Sequence, residues 1–237
     1  MSKKQHLSRL AAPASWPIER KGIKWVAKPL PGTHSLAEAM PLVIYLRDIL
    51  GLASIGRNIK RILGSGFVKV NRKTIKEQNF PVGLFDTISI EQIDKHYRVV
   101  VDQNARLKLI EIESDESRLL PLKITEKLAI HGGKLQLCFN NGWTILADKK
   151  EYAVGDGVVM DVNGKKIKSH LKLEKGKLAY VTSGANAGTL ATIKELRSEG
   201  LLQKKKIALL QHNKQEFETH VNKLFVVGDG KAEVKLE

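Results

Sequence analysis

Residues 41–70 read PLVIYLRDILGLASIGRNIKRILGSGFVKV, and the apolar pattern changes period twice inside them. Pro41 opens a short helix over 42–50, LVIYLRDIL, with Leu42, Leu46, Ile49 and Leu50 on one face, and Gly51 ends it. Ser54 is placed to cap a second helix, SIGRNIKRIL, whose Ile55, Ile59, Ile62 and Leu63 face inward while Arg57, Lys60 and Arg61 face outward. Gly64 and Gly66 stop that helix, Phe67–Val70 alternates as a strand, and Asn71-Arg72-Lys73 makes a turn bearing cations. Helix, basic helix and strand, all within 30 residues, predict a compact α+β module with one cationic face.

Upstream, residues 1–41 read as an extended basic arm. Pro13, Pro17, Pro29, Pro31 and Pro41 interrupt helix and central strand alike, because each removes a backbone donor and restricts the residue before it. Trp16 and Trp25 stand among Arg9, Arg20, Lys21, Lys24 and Lys28. Two readings are open: tryptophans docked on the chain's own domain, or a segment ordered by nucleic acid, with cations on phosphate.

Downstream the period is two. Thr87–Glu91, His96–Asp102 and Arg106–Ile112 are short alternating runs, and Pro81-Val82-Gly83 is expected to fix a turn. Residues 111–174 form a central β domain: Leu135–Phe139 runs into the hairpin signal Asn141-Gly142, and Val158–Met160 and Ile167–Leu173 flank Asn163-Gly164. There is no βαβ spacing and hence no Rossmann unit. In residues 175–237, Gly184, Asn186 and Gly188 suit close turns between strands near Ala179–Thr182 and Thr189–Lys194. His96, His212 and His220 lack the companions a metal site needs and read as surface or packing side chains.

Among 237 residues, 40 Lys and Arg stand against 25 Asp and Glu, a formal charge of +15, with aromatic content of only 5%. Residues 1–80 carry 15 basic and 4 acidic side chains, so most of the excess lies in the first third. That gradient points to a polyanionic partner gripped from the N-terminal side. The lone Cys138 rules out an internal disulfide framework and fits a reducing compartment. No run approaches the roughly 18 apolar residues of a membrane span. The basic N-terminus lacks the apolar core of a signal peptide, so the expected location is the cytoplasm.

Several long motifs then carry a resemblance. HLSRLAAPASWPIERK (6–21), PLPGTH (29–34), PLVIYLRDILGLA (41–53), RNIKRIL (57–63) and FPVGLFDTISI (80–90), in that order, resemble the S4e family of small-subunit ribosomal proteins, in an archaeal-type length. The resemblance implies an S4-like RNA-binding module at 42–110. KLAYVTSGANAGTLATIKEL (177–196) is similar to a KOW motif, implying an SH3-like barrel. Relatives often carry glycine where Ser183 and Ala191 stand and a basic residue where Thr189 stands, so the barrel is expected to form with weaker RNA contact at 189.

The expected fold is thus multidomain and mainly β: arm 1–41, module 42–110, central antiparallel β domain 111–174, and KOW barrel with C-terminal extension 175–237. No nucleophile–His–acid arrangement, P-loop or deaminase pattern is present, so no catalytic residue, cofactor, metal or small-molecule substrate is expected. The function implied is a structural constituent of the small ribosomal subunit that binds ribosomal RNA beside neighbouring ribosomal proteins. The alternatives are a KOW-bearing transcription or translation factor and an RNA-modifying enzyme. The candidate RNA contacts are Lys3, Lys4, Arg9, Arg20, Lys21, Lys24 and Lys28 on the arm, then Arg47, Arg57, Lys60, Arg61, Arg72 and Lys73 on the module. Arg47 precedes Asp48 and has a local ion pair as its competing role.

Overall fold

The computed structural model describes residues 6–131, 133–147, 151–199, 205–213 and 215–236. The chain divides into two compact units, one of residues up to Val100 plus Arg106–Arg118, the other of Val101–Ala105 plus the chain from Leu119 onward. The architecture is mostly β, in several antiparallel sheets.

In the first unit, β1 (His6–Ser8) and β2 (Trp25–Ala27) pair antiparallel, with Leu7 opposite Val26. β3 (Ala39–Pro41) leads directly into α1 (Leu42–Ile44), a π-helical turn (Tyr45–Ile49) and then α2 (Gly56–Gly64). The strands β4 (Val68–Val70), β5 (Lys73–Thr74), β6 (Pro81–Gly83), β7 (Thr87–Ile90), β8 (Lys95–Val101) and β9 (Leu107–Ile112) follow. Five of them form one sheet in the order β5-β4-β7-β8-β9, while β6 pairs with β3. Met40, Leu42, Ile44 and Leu46 are buried together with Ile59 and Leu63 of α2 and Val68 and Ile88 of the sheet.

Three local expectations change. The helix at 42–50 keeps α geometry only through its first residues; the amide of Leu50 donates to the carbonyl of Tyr45, five residues back, at 2.9 Å. A turn that wide shifts the 3.6-residue phase beyond Tyr45, and Ile49, expected on the apolar face, is 36% exposed, while Leu42–Leu46 are all buried. Ser54 does not cap α2: Ile55 holds the N-cap position with extended backbone and no side-chain bond. Because the helix starts after it, Ile55 lies off the apolar stripe and is 61% exposed. Pro81–Gly83 is a strand, with Pro81 opposite Pro41. Prolines are tolerated there because a two-stranded ribbon leaves edges that need no donor.

The second unit holds two sheets. β10 (Leu119–Ala129), β11 (Leu135–Phe139), β12 (Thr144–Ala147), β13 (Gly157–Asp161) and β14 (Lys166–Leu171) order as β12-β11-β10-β13-β14. β15 (Leu178–Val181), β16 (Leu190–Glu199), β17 (Lys205–His212), β18 (Gln215–His220), β19 (Leu224–Asp229) and β20 (Lys231–Ala232) order as β18-β17-β16-β15-β19-β20. The sheets meet where Gly157 lies against the backbone of Val226, leaving no room for a Cβ. Lys123 crosses the same seam, and its Nζ donates to the carbonyls of Val221 at 2.6 Å and Leu224 at 2.9 Å. Burial lowers the pKa of this ammonium to about 8. It is a structural cation, with its donors directed into the protein.

Candidate nucleic-acid interface

α2 supplies three exposed cations. Ile59 and Leu63 are fully buried, and the helical repeat therefore turns Arg57, Lys60 and Arg61 to solvent. None of the three forms a salt bridge among the described residues. Lys73, beyond the β4–β5 turn, is also exposed. On the arm, Arg20, Lys21, Lys24 and Lys28 are exposed. Lys24 Nζ stands 5.1 Å from the ring centroid of Trp25.

The remaining described candidates have partners inside the protein. Arg9 donates through Nε to the carbonyl of Ile23 at 2.7 Å and through Nη1 to that of Glu19 at 2.6 Å, so it ties the arm's own loop. Arg47 forks onto the Asp48 carboxylate at 2.7 and 2.8 Å, and that bond raises its pKa further. Arg72 sits in a left-handed backbone at φ 63° and donates to Ser117 Oγ at 3.1 Å. With Asn71 at φ 47°, it forms the mirror-image turn that joins β4 to β5. Lys3 and Lys4 lie outside the described residues.

The two tryptophans separate. Trp16 is 2% exposed and donates from Nε1 to the carbonyl of Ala39 at 2.9 Å. Trp25 is 48% exposed, with the His6 ring edge-on at 4.7 Å between centroids. One is buried and bonds across the arm to β3; the other stays at the surface beside Lys24.

Beneath these cations the arm is held by a buried polar cluster. Asp86 accepts from the amide of Gly83 at 2.9 Å and from Asn71 Nδ2 at 2.7 Å, and His34 Nε2 lies 2.9 Å from the same carboxylate. Asn71 in turn accepts the amide of Thr87 through Oδ1 at 2.9 Å. Arg98, with 0% side-chain exposure, donates to the carbonyl of Glu116 at 2.9 Å, and burial lowers its pKa to about 10. Sequence reasoning named none of these as structural polar groups, because their partners lie far along the chain. It also passed over the lysines of β14, whose charge is plain in the sequence but whose surroundings are not.

Among the described residues, the arm and the short helix present exposed cations without salt bridges while Arg9, Arg47 and Arg72 bond inside the protein, so the chain falls in the class of basic, mostly β proteins. Residues 93–167 match the model of the ribosomal family S4e, and residues 1–37 match the RS4NT (NUC023) domain. The chain is 36% identical to the small ribosomal subunit protein eS4 of Methanocaldococcus jannaschii over 98% of both chains. It is 38% identical to the protein of the same name from Methanosphaera stadtmanae, over 100% of this chain and 97% of the relative. The crystal structure of the 30S ribosomal protein S4e from Thermoplasma acidophilum matches with a TM-score of 0.70 at 29% identity, covering 84% of this chain and 99% of that one. The chain belongs to the S4e family of ribosomal proteins.

Proposed function

We propose that this protein is a structural constituent of the small ribosomal subunit, without enzymatic activity, that binds ribosomal RNA and packs beside neighbouring ribosomal proteins in the cytoplasm. Full-length similarity to proteins named small ribosomal subunit protein eS4 is the observation that carries this reading. The unpaired arginines and lysine of α2 supply the chemistry: each phosphate neutralised releases counterions, while the rigid helix fixes orientation.

Within that reading, residues 42–110 act as an S4-like module, 111–174 as a central β domain and 175–237 as a KOW-type barrel with its extension. The phosphate contacts are Arg20, Lys21, Lys24, Lys28, Arg57, Lys60, Arg61 and Lys73, with Lys3 and Lys4 continuing the arm. Arg9, Arg47 and Arg72 serve the fold first, because each already donates to a group inside the protein. The test is co-sedimentation with the small subunit through a high-salt wash. Retention is expected; release into the soluble fraction with other wash factors overturns the structural assignment and favours transient binding.

A further inference from the structure

Residues 162–173, VNGKKIKSHLKL, hold four lysines and no aspartate or glutamate. They form the β13–β14 turn and β14, the outermost strand of its sheet. Ile167 stands opposite Met160 and Ser169 opposite Val159, so Lys168 is the extra residue of a bulge, a device that re-aims a side chain at a sheet edge. Lys165 adopts a left-handed backbone at φ 48°, and its Nζ lies 5.7 Å from the ring centroid of Trp143, in the β11–β12 turn. Lys165, Lys166 and Lys168 are exposed and form no salt bridge among the described residues. Three acids lie at this strand without a salt bridge to these lysines: Glu233 is bonded to the hydroxyl of Ser169, Asp156 to His170 Nε2 at 2.7 Å, and Asp161 stands opposite Lys166 in the β13–β14 register.

Lysine on an edge strand has an ordinary use: it deters pairing with another sheet edge. That use needs charge anywhere along the strand. It does not require a lysine in left-handed backbone over an indole from a separate turn, or a bulge that singles out its neighbour. An indole face holds an ammonium in place without neutralising it, leaving the charge available to an anion.

We propose that the β11–β12 and β13–β14 turns with β14 form a second RNA-contact surface, in which Lys165, Lys166 and Lys168 bind backbone phosphates and Trp143 positions Lys165. RNA is the occupant that the charge favours: a run of free cations at strand spacing, without interspersed acids, complements a phosphodiester chain. The inference rests on the ribosomal RNA reading above but concerns residues other than those of α2 and the arm.

The test uses the full-length chain, a small-subunit ribosomal RNA transcript and binding measured over a salt series. Lys165→Gln/Lys166→Gln/Lys168→Gln is expected to lower affinity at least about tenfold and to flatten the slope of log affinity against log salt by about two units, at roughly 0.7–0.9 per phosphate. Trp143→Leu is expected to weaken binding in the wild type and to have no further effect beside Lys165→Gln, the coupling that a positioning role requires. Arg57→Gln/Lys60→Gln/Arg61→Gln runs in parallel. If that variant loses affinity while the β14 variant keeps wild-type affinity and slope, the inference fails and the ribosomal reading stands. If the wild type does not bind the transcript, both fail. Self-association of the β14 variant with unchanged RNA binding assigns the lysines to edge protection and overturns the proposal. Poor incorporation into particles with unchanged RNA binding assigns the surface to a protein neighbour, and likewise overturns it.

Discussion

His34 and Asp86, 52 positions apart in the chain, meet at 2.9 Å between Nε2 and Oδ2, with only 4% and 3% of their side chains exposed. This contact ties the Pro-rich segment before β3 to the start of β7. It also sets the residue at 83: a Cβ on Gly83 would strike the His34 ring, so the strand must pass the imidazole without a side chain. His34 thus adds a side-chain anchor to the backbone bonds that hold the arm, from the amide of Leu107 to the carbonyl of Ser15 and from the amide of Leu30 to the carbonyl of Asn79, both at 2.8 Å.

Burial, the largest influence on His34, pulls its pKa down, but the charge and hydrogen bond of Asp86, helped by Glu38, raise it above 6.5 overall. A folded-state value above the unfolded one means that the folded protein holds the proton more tightly. The stabilisation is present in full below pH 6.5 and fades as pH rises through the folded-state value. Urea midpoints of wild type and His34→Gln, compared from mildly acidic to mildly alkaline pH, are expected to converge as pH rises. Asp86→Ala, which also orphans the Gly83 amide, is expected to cost about 3 kcal/mol.

Trp16 and Trp25 have opposite consequences. Trp16→Ala empties a fully buried site and is expected to destabilise the protein by about 3–5 kcal/mol. Trp25→Ala, at the surface, is expected to cost about 0.5 kcal/mol while weakening RNA binding. Denaturant unfolding and RNA affinity, measured on both variants, separate the roles. A destabilised Trp25 variant with intact RNA binding reverses the assignment.

Gly184 and Gly188 both have positive φ, at 108° and 75°, but only Gly188 is crowded. A Cβ there would lie 2.7 Å from the carbonyl oxygen of Val101, whereas at Gly184 the nearest atom is Lys223 Nζ at 3.9 Å. Gly184→Ala is expected to cost the backbone strain alone, about 1–2 kcal/mol. Gly188→Ala must also move the Val101–Asp102 backbone and is expected to cost more. Equal unfolding midpoints for the two variants would contradict this.

The arginines divide in the same way. Replacing Arg57, Lys60 and Arg61 by glutamine is expected to leave stability unchanged and to flatten the salt dependence of RNA binding by about 0.7–0.9 units per lost phosphate contact. Arg72→Ala is expected to lower stability by about 1 kcal/mol through its lost bond to Ser117, leaving the salt slope intact. Binding and melting curves on the same two proteins decide it.

The sequence alone determined what local patterning can encode. Alternation placed the strands near 87–91 and 135–139, glycine marked the turns at 142, 184 and 188 and with them the strand near 179–182, and the helical repeat put Arg57, Lys60 and Arg61 opposite Ile59 and Leu63. Charge counting found the basic N-terminal third. Only the tertiary structure decided which cations remain free, because the partners of Arg9, Arg72 and Lys123 lie between 10 and 101 positions away along the chain. The same holds for Trp16 against Trp25, which are alike in composition and neighbourhood. Periodicity reports which way a side chain leaves its own backbone. What it meets depends on how distant segments close together, and in this chain that closure turned arginines of identical chemistry into a loop tie, a turn brace and an exposed cation.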